Sequence, residues 1–217
     1  MVVQSLILSN VLKVAGPAFF LGLQSSSVNT AVSIFAQKSV GKLSPVPFIS
    51  LLTNCVIWTY YGLLKKDNTV LIPNAIGCFA GAGCVLTYQK FTQESPISLY
   101  IGSFLILAIS TYLALQGNWK ILGSIGCALA VAVSGSPLAT VGTVLKDKST
   151  AALPFLTSFT TWMNAFSWSL YGILIANDPM IYGPNLLGLA LASIQMSLFV
   201  LFGLPPPVIA TKTKAMF

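Results

Sequence analysis

Two asparagines and two tryptophans carry the chemistry that stands out in this chain. They are Asn74 and Asn185, and Trp58 and Trp168. An asparagine amide offers both a donor and an acceptor to a hydroxyl group, and an indole offers an apolar face against which the C–H face of a pyranose ring can pack. Two residues of each kind predict a binding site for a neutral, polyhydroxylated solute.

These four residues belong to a stretch that the chain contains twice. The first copy reads W-T-Y-Y-G-L-L-K-K-D-N-T-V-L-I-P-N-A-I-G, and the second reads W-S-L-Y-G-I-L-I-A-N-D-P-M-I-Y-G-P-N-L-L-G. The two tryptophans are 110 residues apart and the two asparagines 111. Membrane anchoring by Trp and Tyr, and helix capping by Asn, would explain each residue singly. They do not explain why the same order recurs, so we infer two related halves.

The composition indicates an integral membrane protein with little mass outside the bilayer. The 217 residues are 55% hydrophobic and 7% charged, whereas soluble domains carry about 25% charged residues. The net charge of +7 comes from lysines that lie mostly between apolar runs and form no basic face, so we do not expect nucleic-acid binding. The four cysteines lie inside apolar runs without metal-ligand spacing, and there is no histidine. We therefore expect neither a metal nor another cofactor.

Seven transmembrane spans are expected, because apolar runs near the required length of about 20 residues recur along the chain. Their approximate bounds are 5–33, 47–64, 69–89, 97–116, 121–145, 153–176 and 180–203. The first is interrupted by Lys13, Pro17 and the polar run 24–27. One side of the membrane receives Lys38, Lys42, Lys90, Lys146, Lys148, Lys212 and Lys214, and the other receives Lys65, Lys66 and Lys120. The positive-inside rule then predicts a cytosolic C-terminus and an extracytosolic N-terminus.

The repeat divides these spans into two parallel three-helix bundles joined by a linker helix. We expect a first bundle at 1–92, the linker helix at 93–118, a second bundle at 119–204 and a short cytosolic tail at 205–217. Three spans alone would invert the second copy, and the fourth restores its direction. Parallel repeats place a substrate site between the bundles near the midplane of the membrane. At 1.5 Å per residue the two tryptophans and two asparagines lie ~10–15 Å below the extracytosolic surface.

The chain also lacks groups that other mechanisms need. No Asp, Glu, His or Arg falls in the middle of any span, whereas proton relays and ion-coupled carriers place such groups there. An enzyme would need a nucleophile, an acid–base pair or a metal cluster at depth. We therefore expect a passive carrier and no enzymatic activity.

The repeated W-x-x-Y-G…P-N-x-x-G pattern and the two Lys-Ser links resemble the SWEET family of sugar transporters, within the PQ-loop, transporter-opsin-like superfamily, over nearly the whole chain. The resemblance implies a substrate-binding set of Asn74, Asn185, Trp58, Trp168, Leu23, Val133, Asn54 and Asn164. It implies a gate on the extracytosolic side formed by Tyr61 and Asp178. It also implies hinges at Pro47, Pro137 and Pro154, and at Ser27, where the family has a fourth proline.

The leading hypothesis is facilitative, bidirectional transport of a small sugar by alternating access. A monosaccharide such as glucose is expected, because two indoles at one depth occupy the space of a second ring. The alternatives are a PQ-loop carrier of an amino acid or another small neutral solute, a membrane enzyme, and a scaffold or chaperone that transports nothing. The expected partners are the sugar and the lipid bilayer. SWEET proteins can form homo-oligomers, but no interface motif decides this here. We expect the plasma membrane, with an endomembrane as the alternative.

Overall fold

The computed structural model describes residues 2–133 and 135–204, and side chains at 6–132 and 140–204. The described part is almost entirely helical. Its helices are α1 (Val2–Gln37), α2 (Val46–Lys65), α3 (Asn68–Phe91), α4 (Ile97–Leu115), α5 (Trp119–Val133), α6 (Gly135–Asp147), α7 (Phe155–Tyr171) and α8 (Pro179–Phe202). A π-helical turn, Gly172–Ala176, continues α7. These segments correspond in order to the seven predicted spans.

In the described part, five helices are long and apolar enough to cross a membrane individually: α1, α2, α3, α4 and α8. The fifth predicted span corresponds to α5 and α6 together, which are separated only by residue 134. The sixth corresponds to α7 with its π-helical turn. The polar run in α1 does not break that helix. The hydroxyl of Ser25 donates to the carbonyl of Gly22 and that of Thr30 to the carbonyl of Ser26, so these groups are satisfied within their own helix.

The loops that precede α3 and α8 have the same construction. Asp67 caps α3, since its Oδ1 accepts from the backbone N–H of Thr69 at 2.9 Å, and Asp178 caps α8, accepting from Met180 at 3.0 Å. Asx side chains are preferred at this position because they satisfy N–H groups that have no partner in the first turn. The residues before them, Lys66 and Asn177, are both left-handed, with φ of 55° and 47°. We call the face of the molecule that carries these loops the Asp67/Asp178 end, and the opposite face the Lys38/Lys148 end.

The change in repeat spacing from 110 to 111 has a local structural cause. The backbone N–H of Asp67 donates to the carbonyl of Gly62, five residues earlier, and that of Asp178 donates to Gly172, six residues earlier, both at 2.9 Å. The second half therefore contains one extra residue in this turn. The π-helical turn Gly172–Ala176 absorbs it, because π-helical bonding takes an additional residue into one turn.

Three buried clusters form the core of the described part of the chain, and they are distributed unequally between the two ends. The cluster nearest the Asp67/Asp178 end combines both halves of the chain and contains Leu12, Ile57, Tyr61, Val70, Leu122, Trp168, Tyr171 and Ile181. At the Lys38/Lys148 end, one cluster is built from α1–α3 together with Val40, and contains Ala31, Ile34, Val40, Phe48, Cys84 and Tyr88. A separate one contains Val144, Leu153, Leu198 and Phe199. The two halves thus share a core at one end and have separate cores at the other.

The linker helix α4 packs against α2 through hydroxyl groups as well as apolar side chains. The hydroxyls of Thr53 and Ser103 are 2.6 Å apart, and those of Tyr60 and Thr111 are 3.2 Å apart. The hydroxyls of Thr53 and Thr111 also donate to carbonyls of their own helices, and hydroxyl pairs of this kind join neighbouring helices in an apolar environment. They hold α4 against the first half of the chain.

Candidate transport site

A cavity of about 230 Å³ lies between the two halves of the chain. Ten of its lining residues form five pairs at equivalent positions of the repeat: Phe20 with Ala130, Asn54 with Asn164, Trp58 with Trp168, Val70 with Ile181, and Asn74 with Asn185. Among the described lining residues none carries an ionisable group. The cavity wall therefore offers amides and aromatic faces in duplicate, and no charge.

The amides of Asn74 and Asn185 are held in the same way in both halves. Asn74 Nδ2 donates to the carbonyl of Val70 at 2.8 Å, and Asn185 Nδ2 donates to that of Ile181 at 2.7 Å. Each acceptor lies four residues earlier in the same helix, so these bonds do not join neighbouring helices. Asn74 Oδ1 and Asn164 Oδ1 are buried and have no hydrogen-bond partner among the described residues. Because an unpaired buried acceptor costs about 1–3 kcal/mol, these oxygens are suited to accept from a solute hydroxyl.

The indoles of Trp58 and Trp168 are fixed by packing against the tyrosine of the next turn. The ring of Trp58 meets Tyr61 edge-on at 5.2 Å, and that of Trp168 meets Tyr171 at 5.6 Å. Behind each indole lies a glycine of the other half: a Cβ on Gly126 would be 3.1 Å from Trp58, and one on Gly16 would be 3.1 Å from Trp168. This close approach orients both indoles towards the cavity rather than towards lipid.

The predicted gate residues Tyr61 and Asp178 are in direct contact. The hydroxyl of Tyr61 donates to Asp178 Oδ2 at 2.8 Å, and Lys65 Nζ lies 3.1 Å from the same oxygen. Both Tyr61 and Asp178 are buried. The bond joins α2 to the N-terminal cap of α8 and so links the two halves at the Asp67/Asp178 end of the cavity.

A second pair, which the sequence analysis missed, mirrors the first. The hydroxyl of Tyr171 lies 2.8 Å from both carboxylate oxygens of Asp67. The repeat contained the signal, since Tyr171 corresponds to Tyr61 and Asp67 to Asp178. The two pairs differ in one respect. Lys65 Nζ bonds Asp178 and lies 4.2 Å from the centre of the Trp119 ring, whereas the second half has the apolar residues Ile175 and Ala176 at the corresponding point of the turn.

Four other predicted site residues are not among the described residues that line the cavity: Leu23, Val133, Ser27 and Pro137. Leu23 is half-buried but does not line the cavity; Phe20, which does, is about one turn nearer the Asp67/Asp178 end. The side chains of Val133 and Pro137 lie outside the described residues. The hinge at Ser27 was expected in α1, which continues unbroken through that residue.

The two described hinge prolines stand at helix starts. Pro47 is the second residue of α2, and Pro154 is the N-cap of α7. Proline is tolerated there because the first turn leaves N–H groups without intrahelical partners. Neither proline therefore kinks a helix interior.

Cys55 and Cys84 are buried, in line with the interpretation of the cysteines as small apolar residues, whereas Cys78 and Cys127 are half-buried. Across residues 2–133 and 135–204, no group of His, Cys, Asp or Glu could hold a metal ion.

Comparison with known proteins agrees with this geometry. A family model described as "Sugar efflux transporter for intercellular exchange" matches twice, at residues 10–96 and 120–206. The chain belongs to the SWEET family of sugar transporters. It is 30% identical over 200 residues to "Sugar transporter SWEET1" of Xenopus laevis, and the alignment covers 87% of this chain and 91% of that protein. It is 31% identical over 186 residues to "Bidirectional sugar transporter N3" of Medicago truncatula, covering 81% of this chain and 69% of the relative.

The chain spans 63% of the length of another relative, "Bidirectional sugar transporter SWEET15" of Oryza sativa subsp. indica. Its fold matches "The 3.7 A resolution structure of a eukaryotic SWEET transporter" with a TM-score of 0.80 and 26% identity, over 92% of this chain and 98% of that one. The predicted all-α, seven-helix SWEET fold is thereby confirmed, as is the prediction of an integral membrane protein. The matched SWEET relatives are transporters, which confirms the prediction that the chain is not an enzyme.

Proposed function

We propose that this SWEET protein carries a monosaccharide such as glucose across the plasma membrane, in either direction and down its concentration gradient. The observation that supports this most is the cavity wall: paired amides of Asn74 and Asn185 and paired indoles of Trp58 and Trp168, with no ionisable group among the described lining residues. Amides suit sugar hydroxyls and indoles suit the C–H faces of a ring. An amino acid would need countercharges for its ammonium and carboxylate groups.

Alternating access would proceed by rocking of two bundles, 1–92 and 119–204, joined by the linker at 93–118. The halves share a core at the Asp67/Asp178 end and have separate cores at the other. This is the arrangement expected of a carrier closed at the first end. From the lysine distribution we infer that the Asp67/Asp178 end faces outside and the C-terminus lies in the cytosol. Opening to the outside would require both Tyr–Asp pairs to separate.

The proposed preference for a monosaccharide over a disaccharide follows from the space that the indoles fill. Trp58 and Trp168 face one cavity of about 230 Å³ from opposite halves. Close packing leaves the volume of two indoles unavailable to a second sugar ring. Replacing both with serine should weaken glucose transport, because the packing faces are lost, and should admit sucrose.

Purified protein in liposomes tests this function. Labelled glucose should enter faster than into protein-free liposomes, and labelled sucrose should enter little. In the double variant Trp58→Ser, Trp168→Ser, labelled sucrose should enter faster than labelled glucose. Equal uptake of glucose and sucrose by the wild type would contradict the volume argument. No uptake of any hexose, with an amino acid carried instead, would replace the proposed function by that of an amino-acid carrier.

A further inference from the structure

The two halves of the cavity are not equivalent, although its main residues are paired. Of the described lining residues, five come from α1–α3 and nine come from α5–α8. The four without a lining counterpart are Thr161, Ala165, Pro184 and Gly188, all of the second half. The cavity is therefore displaced from the axis of the repeat towards α7 and α8.

The displacement is explained by the different surroundings of two equivalent glycines, Gly77 and Gly188. Gly188 lines the cavity, and among the residues whose side chains are described, a Cβ on it would meet only the Cβ of Ala165, at 3.8 Å, which is ordinary contact. A Cβ on Gly77 would fall 2.5 Å from Cys55 Sγ and 2.9 Å from both terminal atoms of Gln24. The space that is open beside Gly188 is thus filled beside Gly77.

The filling group consists of Gln24 and Cys55, which we call the Gln24–Cys55 plug. Gln24 is 7% exposed and Cys55 is fully buried, and Gln24 Nε2 lies 3.7 Å from Cys55 Sγ. Gln24 Oε1 has no hydrogen-bond partner in the described part of the chain. Burying an amide oxygen without a partner is unfavourable, so an apolar side chain would fill this space more stably.

The second half has smaller residues at both equivalent positions. Ala165 stands 110 residues after Cys55, and Ser134 stands 110 residues after Gln24 in the sequence. Asn54, which precedes Cys55 in the chain, and Asn74, three residues before Gly77, already line the cavity. With residues as small as those of the second half, the space beside Gly77 would join the cavity.

We propose that the Gln24–Cys55 plug closes a subsite whose equivalent is open in the second half. The sugar then binds off the axis, against α7 and α8, and a second hexose ring finds no room against α1–α3. This inference rests on the proposed sugar transport and adds a specificity determinant that is separate from the indoles. It predicts that a disaccharide can be admitted without changing Trp58 or Trp168.

The double variant Gln24→Ser, Cys55→Ala gives the first half the residue types of the second and tests the plug. Initial uptake of labelled sucrose and labelled glucose is measured in liposomes, and the ratio of the two rates is compared with that of the wild type. We expect the ratio to rise by about tenfold or more, since single methylene-sized changes in a pocket alter discrimination by 10–200-fold. Cys84→Ala removes a buried thiol far from the cavity and should leave the ratio unchanged. A folded double variant with an unchanged ratio, including one in which both rates fall together, would overturn the proposal.

A second variant tests the off-axis position and does not depend on removing the plug. Gly188→Ala adds a methyl group to the cavity wall, and that methyl group would clash with none of the side chains that the structure describes. It should raise the KM for glucose several-fold while the melting temperature stays unchanged. Gly83→Ala, in α3 and with open space at its Cβ, is the matched control. An unchanged KM in Gly188→Ala would overturn the off-axis position, whereas absence of glucose uptake by the wild type would overturn the proposed function itself.

Discussion

At the scale of single residues, the amides of Asn74 and Asn185 serve both the helix and the cavity. Their nitrogens bond carbonyls of their own helices, which fixes the orientation of each side chain, and Asn74 Oδ1 has no partner among the described residues. An apolar cavity with fixed acceptors is organised before the solute arrives. Little side-chain entropy is then lost on binding.

Replacing either asparagine with alanine should reduce glucose transport by about 10–100-fold, the loss expected for one or two hydrogen bonds to a solute. The fold should survive, because the lost bond lies within a single helix. Uptake and the melting temperature in detergent are measured in parallel, with the exposed Asn29→Ala in α1 as the control. Transport that falls only together with the amount of folded protein would assign these residues to helix packing instead.

The two Tyr–Asp pairs should contribute unequally to closure of the Asp67/Asp178 end. Asp178→Asn weakens the charge-assisted bond from Tyr61 and removes the ion pair with Lys65, whereas the contact between the halves that Asp67→Asn weakens is the bond from Tyr171. Asparagine caps helices as well as aspartate does, so both variants should fold. We expect both to favour opening at this end, Asp178→Asn more strongly.

Cys127 can report this opening because it lies one turn after Gly123, where α5 meets Tyr61 of the other half: a Cβ on Gly123 would be 2.6 Å from the Tyr61 ring. In a background with the other three cysteines changed to serine, a membrane-impermeant maleimide applied from outside should label Cys127 fastest in Asp178→Asn. Next should come Asp67→Asn, and then the parent protein. Equal labelling of all three would mean that these pairs do not control access.

Sequence reasoning identified the residue types in the cavity but not all of their contacts. The repeat pointed to both asparagines and both tryptophans, and the structure places all four around one cavity. The hydrogen bond between Tyr171 and Asp67 was missed, although both residues have counterparts in the repeat. The resemblance to the family implied only one gate pair, Tyr61 and Asp178. The Gln24–Cys55 contact joins two helices whose relative rotation no sequence pattern determines.

At the scale of helices, hydropathy and short polar links located the spans to within a few residues. What they could not predict was the site of the one-residue insertion in the second half. Several positions between Gly172 and Asp178 fit the alignment equally well. The π-helical turn depends on which backbone hydrogen bonds form in the folded chain, and the sequence does not specify these. The continuity of α1 through its polar run likewise depends on side-chain bonds to earlier carbonyls.

The turns before α3 and α8 depend on glycine for space. A Cβ on Gly62 would lie 2.7 Å from the backbone nitrogen of Leu71, and one on Gly172 would lie 2.8 Å from that of Tyr182. Alanine at either position should destabilise the protein by about 1–3 kcal/mol, as overpacking does elsewhere. Thermal unfolding in detergent is the measurement. Gly183→Ala, with open space at its Cβ, should change the melting temperature little, and equal effects of the three variants would contradict this account.

At the scale of the whole molecule, the distribution of the core explains how a SWEET protein can rock about a sugar. One cluster binds the halves together at the Asp67/Asp178 end, and each half keeps its own cluster at the other. Each half can therefore remain folded while the contacts between them change. The parallel 3+1+3 plan could be predicted from the repeat, but the end that is closed could not, because the same sequence must support both states.

The measurement that tests the central claim most directly is the equilibrium accumulation of labelled glucose in liposomes that contain the purified protein. The internal concentration should reach the external one and stop there, with or without an imposed proton gradient, since no ionisable group lines the described cavity. Asn74→Ala should slow the approach to the same end point. Accumulation above the external concentration that collapses with the proton gradient, or no entry beyond that of protein-free liposomes, would contradict facilitated transport through this cavity.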